Sequence, residues 1–180
     1  GRVDYLIRSK ENRFLNQRIP PAEHGTRYAV YSKMRDEVRN GPVRLRKTIE
    51  LSATPRREAR TAELEIRAQT VTLRHPKNRA GLPEVTCQVV HVLEVGEACL
   101  GLGDGEGPIE WWLITSLPVD TAEEIERVLT YYQGRWTIEV YFRTLKTGCQ
   151  IEEIQLETNA RLKNCLAFYL IIAWRVLHLT

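Results

Sequence analysis

The sequence is short of the residue patterns that announce the commonest small domains. It has four cysteines, one methionine and three phenylalanines in 180 residues. Cys87, Cys99, Cys149 and Cys165 stand 12, 50 and 16 residues apart, so there is no Cys-x-x-Cys pair and no zinc-ligand spacing. Disulfide scaffolds and zinc modules are thereby excluded, and reduced core thiols of a cytosolic protein are expected. His24, His75, His91 and His178 are scattered singly and read as structural or surface residues. No run of 18 apolar residues occurs, and the nearest candidate, 166–179, is interrupted by Arg175 and His178. No transmembrane span is therefore predicted. Gly1 is not followed by a signal segment, and the chain reads as a piece of something longer. Gly101, Gly103, Gly105 and Gly107 surround two acids, Asp104 and Glu106, without the Lys-Ser/Thr of a phosphate loop. That stretch reads as a flexible connection. Internal repeats are absent.

What is present fits one soluble globular domain, or one domain with an insertion: the length is modest and the hydrophobic fraction is 43%. Charge is unevenly spread. Residues 1–60 hold 15 Lys and Arg against 7 Asp and Glu, residues 61–120 hold 4 against 9, and residues 121–180 hold 7 of each. A basic first third suits a polyanion partner, although a solubilising surface would have the same composition.

Val3 to Ser9 is short, apolar and β-prone, and predicts a buried strand inside a larger sheet. Lys10 to Arg18 is polar and predicts a loop, and Pro20-Pro21 a break. Ala29, Val30, Met34 and Val38 form a loose helical pattern that Gly41-Pro42 ends. Val43–Leu51, Ala59–Ile66, Val71–Arg74 and Val85–Val95 predict four strands, separated by Pro55, Pro76, Gly81 and Pro83, in a mostly antiparallel β-module. Glu110–Ser116 is again a buried-type strand, in which Trp112 should point into packing. Thr121-Ala122-Glu123-Glu124 fits a capping box, and Ile125, Val128, Leu129 and Tyr132 follow at helical spacing. Gly134 suggests a stop or kink, with a second helix from about 135 to Lys146 that Gly148 terminates. Its Ile138, Tyr141, Phe142 and Leu145 should pack inward. A last helix, about Asn159 to Leu179, is apolar enough to be buried on most sides. The expectation is a mixed α/β (α+β) fold: a core strand over 1–10, an inserted β-module with one helix over 11–108, and a core strand with helices over 109–180.

Tyr132, Arg135, Glu139, Arg143 and Lys146 are separated by steps of three, four, four and three, which keep them on one helical face. One carboxylate among three cations and a phenol suits a metal ligand at a nucleic-acid site. A solvated face held by Glu139 pairs to Arg135 and Arg143, each worth about 0.2–0.5 kcal/mol, would produce the same pattern.

The stretch resembles the YREK signature of bacterial cut-and-paste DDE transposases, the insertion-sequence family four group. That pattern is Tyr, two residues, Arg, three residues, Glu, six residues, Lys, and Tyr132, Arg135, Glu139 and Lys146 meet every spacing. The strand from Trp111, the Trp136 after Arg135 and the Leu6-Ile7-Arg8-Ser9-Lys10 segment extend the likeness. The resemblance implies a partial ribonuclease-H-like core interrupted by an inserted antiparallel β-domain, and phosphoryl transfer that cuts and joins transposon ends. It makes Glu139 the third catalytic carboxylate and a ligand in a two-metal site, magnesium or manganese, with the metals about 3.5–4 Å apart. Tyr132, Arg135 and Lys146 would hold DNA phosphates, with Arg143 joining them, and Trp111 and Trp136 would stack on an extruded base. Double-stranded DNA is the implied partner, a homodimer the implied assembly of the full protein, and the bacterial cytoplasm its location, with no membrane involved. The first two aspartates of the triad do not appear, and Asp4 lacks their context. The isolated chain is therefore expected to cleave no DNA. A catalytically dead DNA-binding remnant of a transposase is the alternative, and an unrelated α/β protein a third reading.

Overall fold

A computed structural model describes residues 3–20, 30–53, 58–76, 78–79, 81–96 and 107–179. Cys99, Pro55, Pro21, Ala29 and the glycines from 101 to 105 lie outside these residues. The chain divides into two compact units, Gly1–Val128 and Leu129–Thr180.

The first unit is built on an antiparallel sheet. Its strands are β1 (Leu6–Arg8), β2 (Phe14–Ile19), β3 (Val30–Lys33), β4 (Leu45–Leu51), β5 (Arg60–Leu73), β6 (Val85–Val95) and β7 (Glu110–Thr115). They are ordered β1-β7-β6-β5-β2-β3, with β4 also paired to β5. Helix α1 (Met34–Asn40) follows β3 directly.

Strand β5 explains why the sequence reads as two strands where there is one. Ala62, Leu64, Ile66 and Ala68 are buried, and then the parity changes to Val71. Alternate residues point to opposite faces of a sheet, so the strand buries one face in its first half and the other in its second. The two sequence patterns, 59–66 and 71–74, are the two halves of this single strand. Its first half pairs with β4 (Leu45↔Ile66 to Leu51↔Arg60). All of the second half pairs with β6, ending at Leu73↔Val85.

One sheet face carries Val71, Cys87, Val89 and Trp112, and Met34 and Val38 of α1 close over it with Leu15 of β2. Fully burying side chains such as Met34 and Val38 is worth about 1.5–3 kcal/mol each. The segment 12–13 holds the start of α1: the Met34 amide donates to the Arg13 carbonyl (2.9 Å) and the Arg35 amide to Asn12 Oδ1 (2.9 Å). These bonds satisfy donors that a helix start leaves unpaired.

A polar stack is buried beside that core. His91 lies flat on Trp112, with ring centroids 3.8 Å apart. Its Nε2 is 3.0 Å from Glu110 Oε1, which also accepts from Arg39 Nη2 at 2.7 Å. The guanidinium carbons of Arg35 and Arg39 stand 5.3 and 5.5 Å from the Trp112 ring. Burial pushes the His91 imidazole below its usual range, and the Glu110 hydrogen bond only partly opposes this. Burial would raise Glu110, but its bonds to Arg39 and His91 outweigh that and hold it low. The Cys87 thiol is pushed up by burial, in keeping with an inert core thiol.

Several expectations are corrected. The 10–18 segment is not a loop: Phe14–Ile19 is a strand, paired to β3 and touching β5 through Leu15↔Leu73. Its three polar residues, Asn16, Gln17 and Arg18, are consecutive and exposed, and Leu15 is its one buried side chain. Residues 30–33 are a strand and not the first turn of a helix, so only Met34–Asn40 of the predicted helix forms. Strand β1 covers three residues of the predicted Val3 to Ser9, pairs with β7 among the described residues, and leaves Ile7 55% exposed. By contrast, β6 and α1's end at Gly41 follow the sequence reading.

Helix α2 (Ala122–Arg143) begins at the predicted capping box. Thr121 Oγ1 accepts from the Glu124 amide (3.2 Å), and Glu124 Oε2 accepts from the Thr121 amide (3.0 Å). The helix then continues through Gly134, so of the expected stop or kink the stop does not occur. A Cβ built at Gly134 meets nothing within 4 Å, so no close packing requires glycine there, and the other residues carry the helix across it. A π-helical turn, Thr144–Gly148, follows, and helix α3 spans Asn159–Leu179.

In the second unit Tyr141 Oη donates to the Leu170 carbonyl (3.1 Å), tying α2 to α3. Of the four residues expected to pack inward, Leu145 is 1% exposed, Tyr141 is half-buried, and Ile138 and Phe142 are exposed. Helix α3 is likewise not enclosed. Ala173 is buried, but Phe168, Ile171 and Trp174 are exposed, because among the described residues only one side of the helix meets the π turn and α2. By length and composition alone α3 would suffice to cross a membrane, with a mean hydropathy of 1.3 over its apolar window.

Candidate functional site

Helix α2 changes character along its length. Ile125, Val128, Leu129 and Tyr132 are buried, as the amphipathic pattern requires. From 133 to 140 every position is exposed, including Trp136 and Ile138. Eight successive exposed positions with apolar residues among them are unusual on a folded helix, which normally hides its apolar stripe.

The motif residues meet on this half of the helix. Arg135 pairs with Glu139 one turn on. The same guanidinium lies 5.2 Å from the Trp136 ring and 6.0 Å from the Tyr132 ring, within cation–π range. Tyr132, Arg135, Trp136 and Glu139 therefore form one cluster. Its carboxylate is 47% and its guanidinium 46% exposed, so both ends are open to a ligand. Tyr132 differs from the expectation that it stands on the open face: at 6% exposure it is buried, and its ring supports Arg135.

Arg143 ends the α-helical stretch and is exposed. Lys146 is not on the α-helix at all. It sits in the π turn, so the strict α-helical face predicted from its spacing ends at Arg143. Lys146 Nζ instead pairs with Glu152 Oε1 at 2.7 Å, a partner that no helical spacing points to. Trp111 is half-buried in β7 opposite Val92, in the first unit. Trp112, its neighbour, is buried in packing as predicted.

The first unit has its own basic feature. A cleft of about 540 Å³ is lined by the apolar Ile7, Leu73, Val85 and Ile114, by Arg8, Lys10, Arg13, Arg74 and His75, and by one acid, Glu11. The sequence showed the charge of the first third but not this convergence, because Arg74 and His75 come from the far end of β5.

Among the described residues no three His, Cys, Asp or Glu side chains stand together as a metal site. Glu139 can offer carboxylate oxygens to a hard cation, but as a single ligand. A complete divalent-metal centre does not fit within these residues.

The cluster leaves a carboxylate, a guanidinium and an indole open to solvent on one stretch of helix. The chain belongs to the transposase DDE domain family, whose model matches residues 1–175. It is thus part of an enzyme of DNA transposition, a family that acts on DNA with divalent metal. The match includes most of α3, which is therefore a segment of the transposase domain.

Proposed function

We propose that this chain is the carboxy-proximal part of a YREK-type transposase core of the insertion-sequence family four group, and that Glu139 supplies the third catalytic carboxylate. The observation that carries the reading is the exposed cluster on α2, in which one carboxylate shares a helical turn with a guanidinium that lies 5.2 and 6.0 Å from two aromatic rings. In this reading Arg135 offers a planar fork to a DNA phosphate, a geometry that suits bidentate contact. Lys146 and Arg143 extend the phosphate track, and Trp136 presents an exposed indole for stacking on a base. Trp111 is assigned the same kind of contact from β7, and Tyr132 acts by supporting Arg135. The ribonuclease-H-like core, the division at residues 10 and 108, magnesium as the metal and a homodimeric synaptic complex belong to the same proposal. Glu139 contributes one ligand's share of the metal site. The other two carboxylates belong to aspartates outside these residues, so the isolated 180-residue chain is expected to be inactive.

The test is cleavage of transposon ends by the full-length protein in magnesium, with Glu139→Ala as the variant. Loss of cleavage with DNA binding retained supports the assignment. Cleavage at the parent rate refutes it.

A second reading is a DNA-binding remnant without catalysis, and the basic cleft around Arg8, Lys10, Arg13 and Arg74 favours it. In that case binding weakens steeply with salt and shows little sequence preference, and no cleavage appears in any metal. Absence of binding at low salt would exclude it.

A further inference from the structure

We propose that Glu152 is a positioning residue for Lys146, and that the backbone reversal at Gln150 exists to bring it there. The proposal rests on the reading of Lys146 as a DNA-phosphate contact.

Lys146 and Glu152 are six positions apart, too far for neighbours on a helix. They meet because the chain leaves α2 through an unusual path. The π turn Thr144–Gly148 is pinned by the buried Leu145. The Cys149 amide donates back to the Thr144 carbonyl (3.0 Å), and the Glu153 amide to the Gln150 carbonyl (3.0 Å). Between them Gln150 adopts φ +49°, the only non-glycine residue with positive φ among the described residues. That conformation is unfavourable for a side chain with a Cβ. Single π turns and left-handed non-glycine residues persist where the surrounding structure demands them, and they gather at functional sites. Here the motif lysine lies within the π turn, and the left-handed residue follows it four positions on.

The product of this path is the 2.7 Å pair between Lys146 Nζ and Glu152 Oε1. The two side chains are 59% and 65% exposed, so the pair adds little to stability, and what it supplies is orientation. A lysine ammonium is a mobile point charge on a four-carbon stem. Glu152 takes one of its three N–H donors and fixes its place, which leaves two aimed outward for a phosphate.

The experiment uses the full-length transposase, with single-turnover cleavage of bound ends and end-DNA affinity measured separately. Glu152→Gln removes a negative charge near the phosphate track, so affinity holds or tightens. The cleavage rate of bound ends falls about threefold to tenfold, the size of coupling between neighbouring groups in one network. In the Lys146→Met background the same change has no further effect on rate. Gln150→Gly, which adopts positive φ freely, keeps the parent rate, whereas Gln150→Val slows cleavage as Glu152→Gln does. An unchanged rate in Glu152→Gln overturns the proposal, as does an equal fall in the Lys146→Met background. A Lys146→Met protein that cleaves at the parent rate, or a parent that cleaves nothing, overturns the underlying reading of Lys146 and this proposal with it.

Discussion

Replacing Arg60 by methionine should destabilise the first unit more than any surface change, and its size follows from the contacts. The Glu94 carboxylate is fully inaccessible and the Arg60 side chain only 17% exposed. The guanidinium grips both carboxylate oxygens, through Nη1 to Oε1 and through Nη2 to Oε2 at 3.1 Å. The Ile109 amide adds a donor at 2.9 Å, and the Glu94 amide returns one to the Ile109 carbonyl at 2.8 Å. The group thus clamps the start of β5, the end of β6 and the approach to β7. Arg60→Met keeps the aliphatic stem but removes the two-point grip on a buried carboxylate, and breaking one side of a buried ion pair costs about 3–5 kcal/mol. For a chain of this length that corresponds to a fall in melting temperature of roughly 6–20 °C. The assay is urea unfolding followed by tryptophan fluorescence, with Arg60→Met/Glu94→Gln beside it. The neutral amide keeps an acceptor for the Ile109 amide and removes the buried negative charge, so the double variant should recover most of the loss. A single variant within about 1 kcal/mol of the parent, or a double variant no better than the single, would refute the reasoning.

Other expectations follow from the same structure. His91 is depressed by burial, so its contribution to stability is fully present above about pH 6.5, the ordinary imidazole value. It is lost as the pH falls below that and the unfolded chain takes up a proton more readily. Urea midpoints at pH 7.5 and 5.5 should show the slope, and His91→Phe, which preserves an aromatic ring on Trp112, should flatten it. A slope unchanged in that variant assigns it elsewhere. Gly134→Ala should stabilise α2 by about 0.5–1 kcal/mol, because an added Cβ meets no atom within 4 Å. A lower melting temperature would contradict the open surroundings of that position. Glu139→Gln should leave stability within about 0.5 kcal/mol, since its pair with Arg135 is half exposed. Cleavage by the full-length protein should nevertheless fall by at least about a hundredfold, beyond the loss expected from an outer-shell partner of a metal ligand. Parallel losses of fold and activity would instead make Glu139 a structural residue.

Some of this was open to reading along the chain. The Thr121–Glu124 box acts locally, and it caps α2 as its spacing says. Strand β6 matches its apolar run residue for residue. Arg135, Trp136 and Glu139 come together because a helix fixes neighbours at three and four residues. Their role in chemistry is carried by the family pattern rather than by the helix, which would place the same side chains together in a plain salt-bridged face.

Where non-local contacts decided the outcome, the sequence misled. β2 is a strand because β3 and β5 supply its hydrogen bonds, although three successive residues in it are polar. β5 is one strand because β6 spans the parity change that its own pattern shows as a gap. Gly134 stays helical since the turns on both sides of it propagate the helix through a residue that merely weakens it. The apolar stripes of α2 and α3 promised burial, yet burial needs an opposing surface, and no periodicity within a segment states whether one exists.

The motif itself divides in the same way. Sequence spacing determined that a carboxylate, a guanidinium and an indole would share a helical turn, because backbone geometry alone fixes that. Only the tertiary structure decided that Tyr132 would be buried beneath Arg135, and that Lys146 would leave the helix on a π turn to meet Glu152. Both depend on where the chain goes after it leaves the helix, and that path is set by contacts between residues that no local period connects.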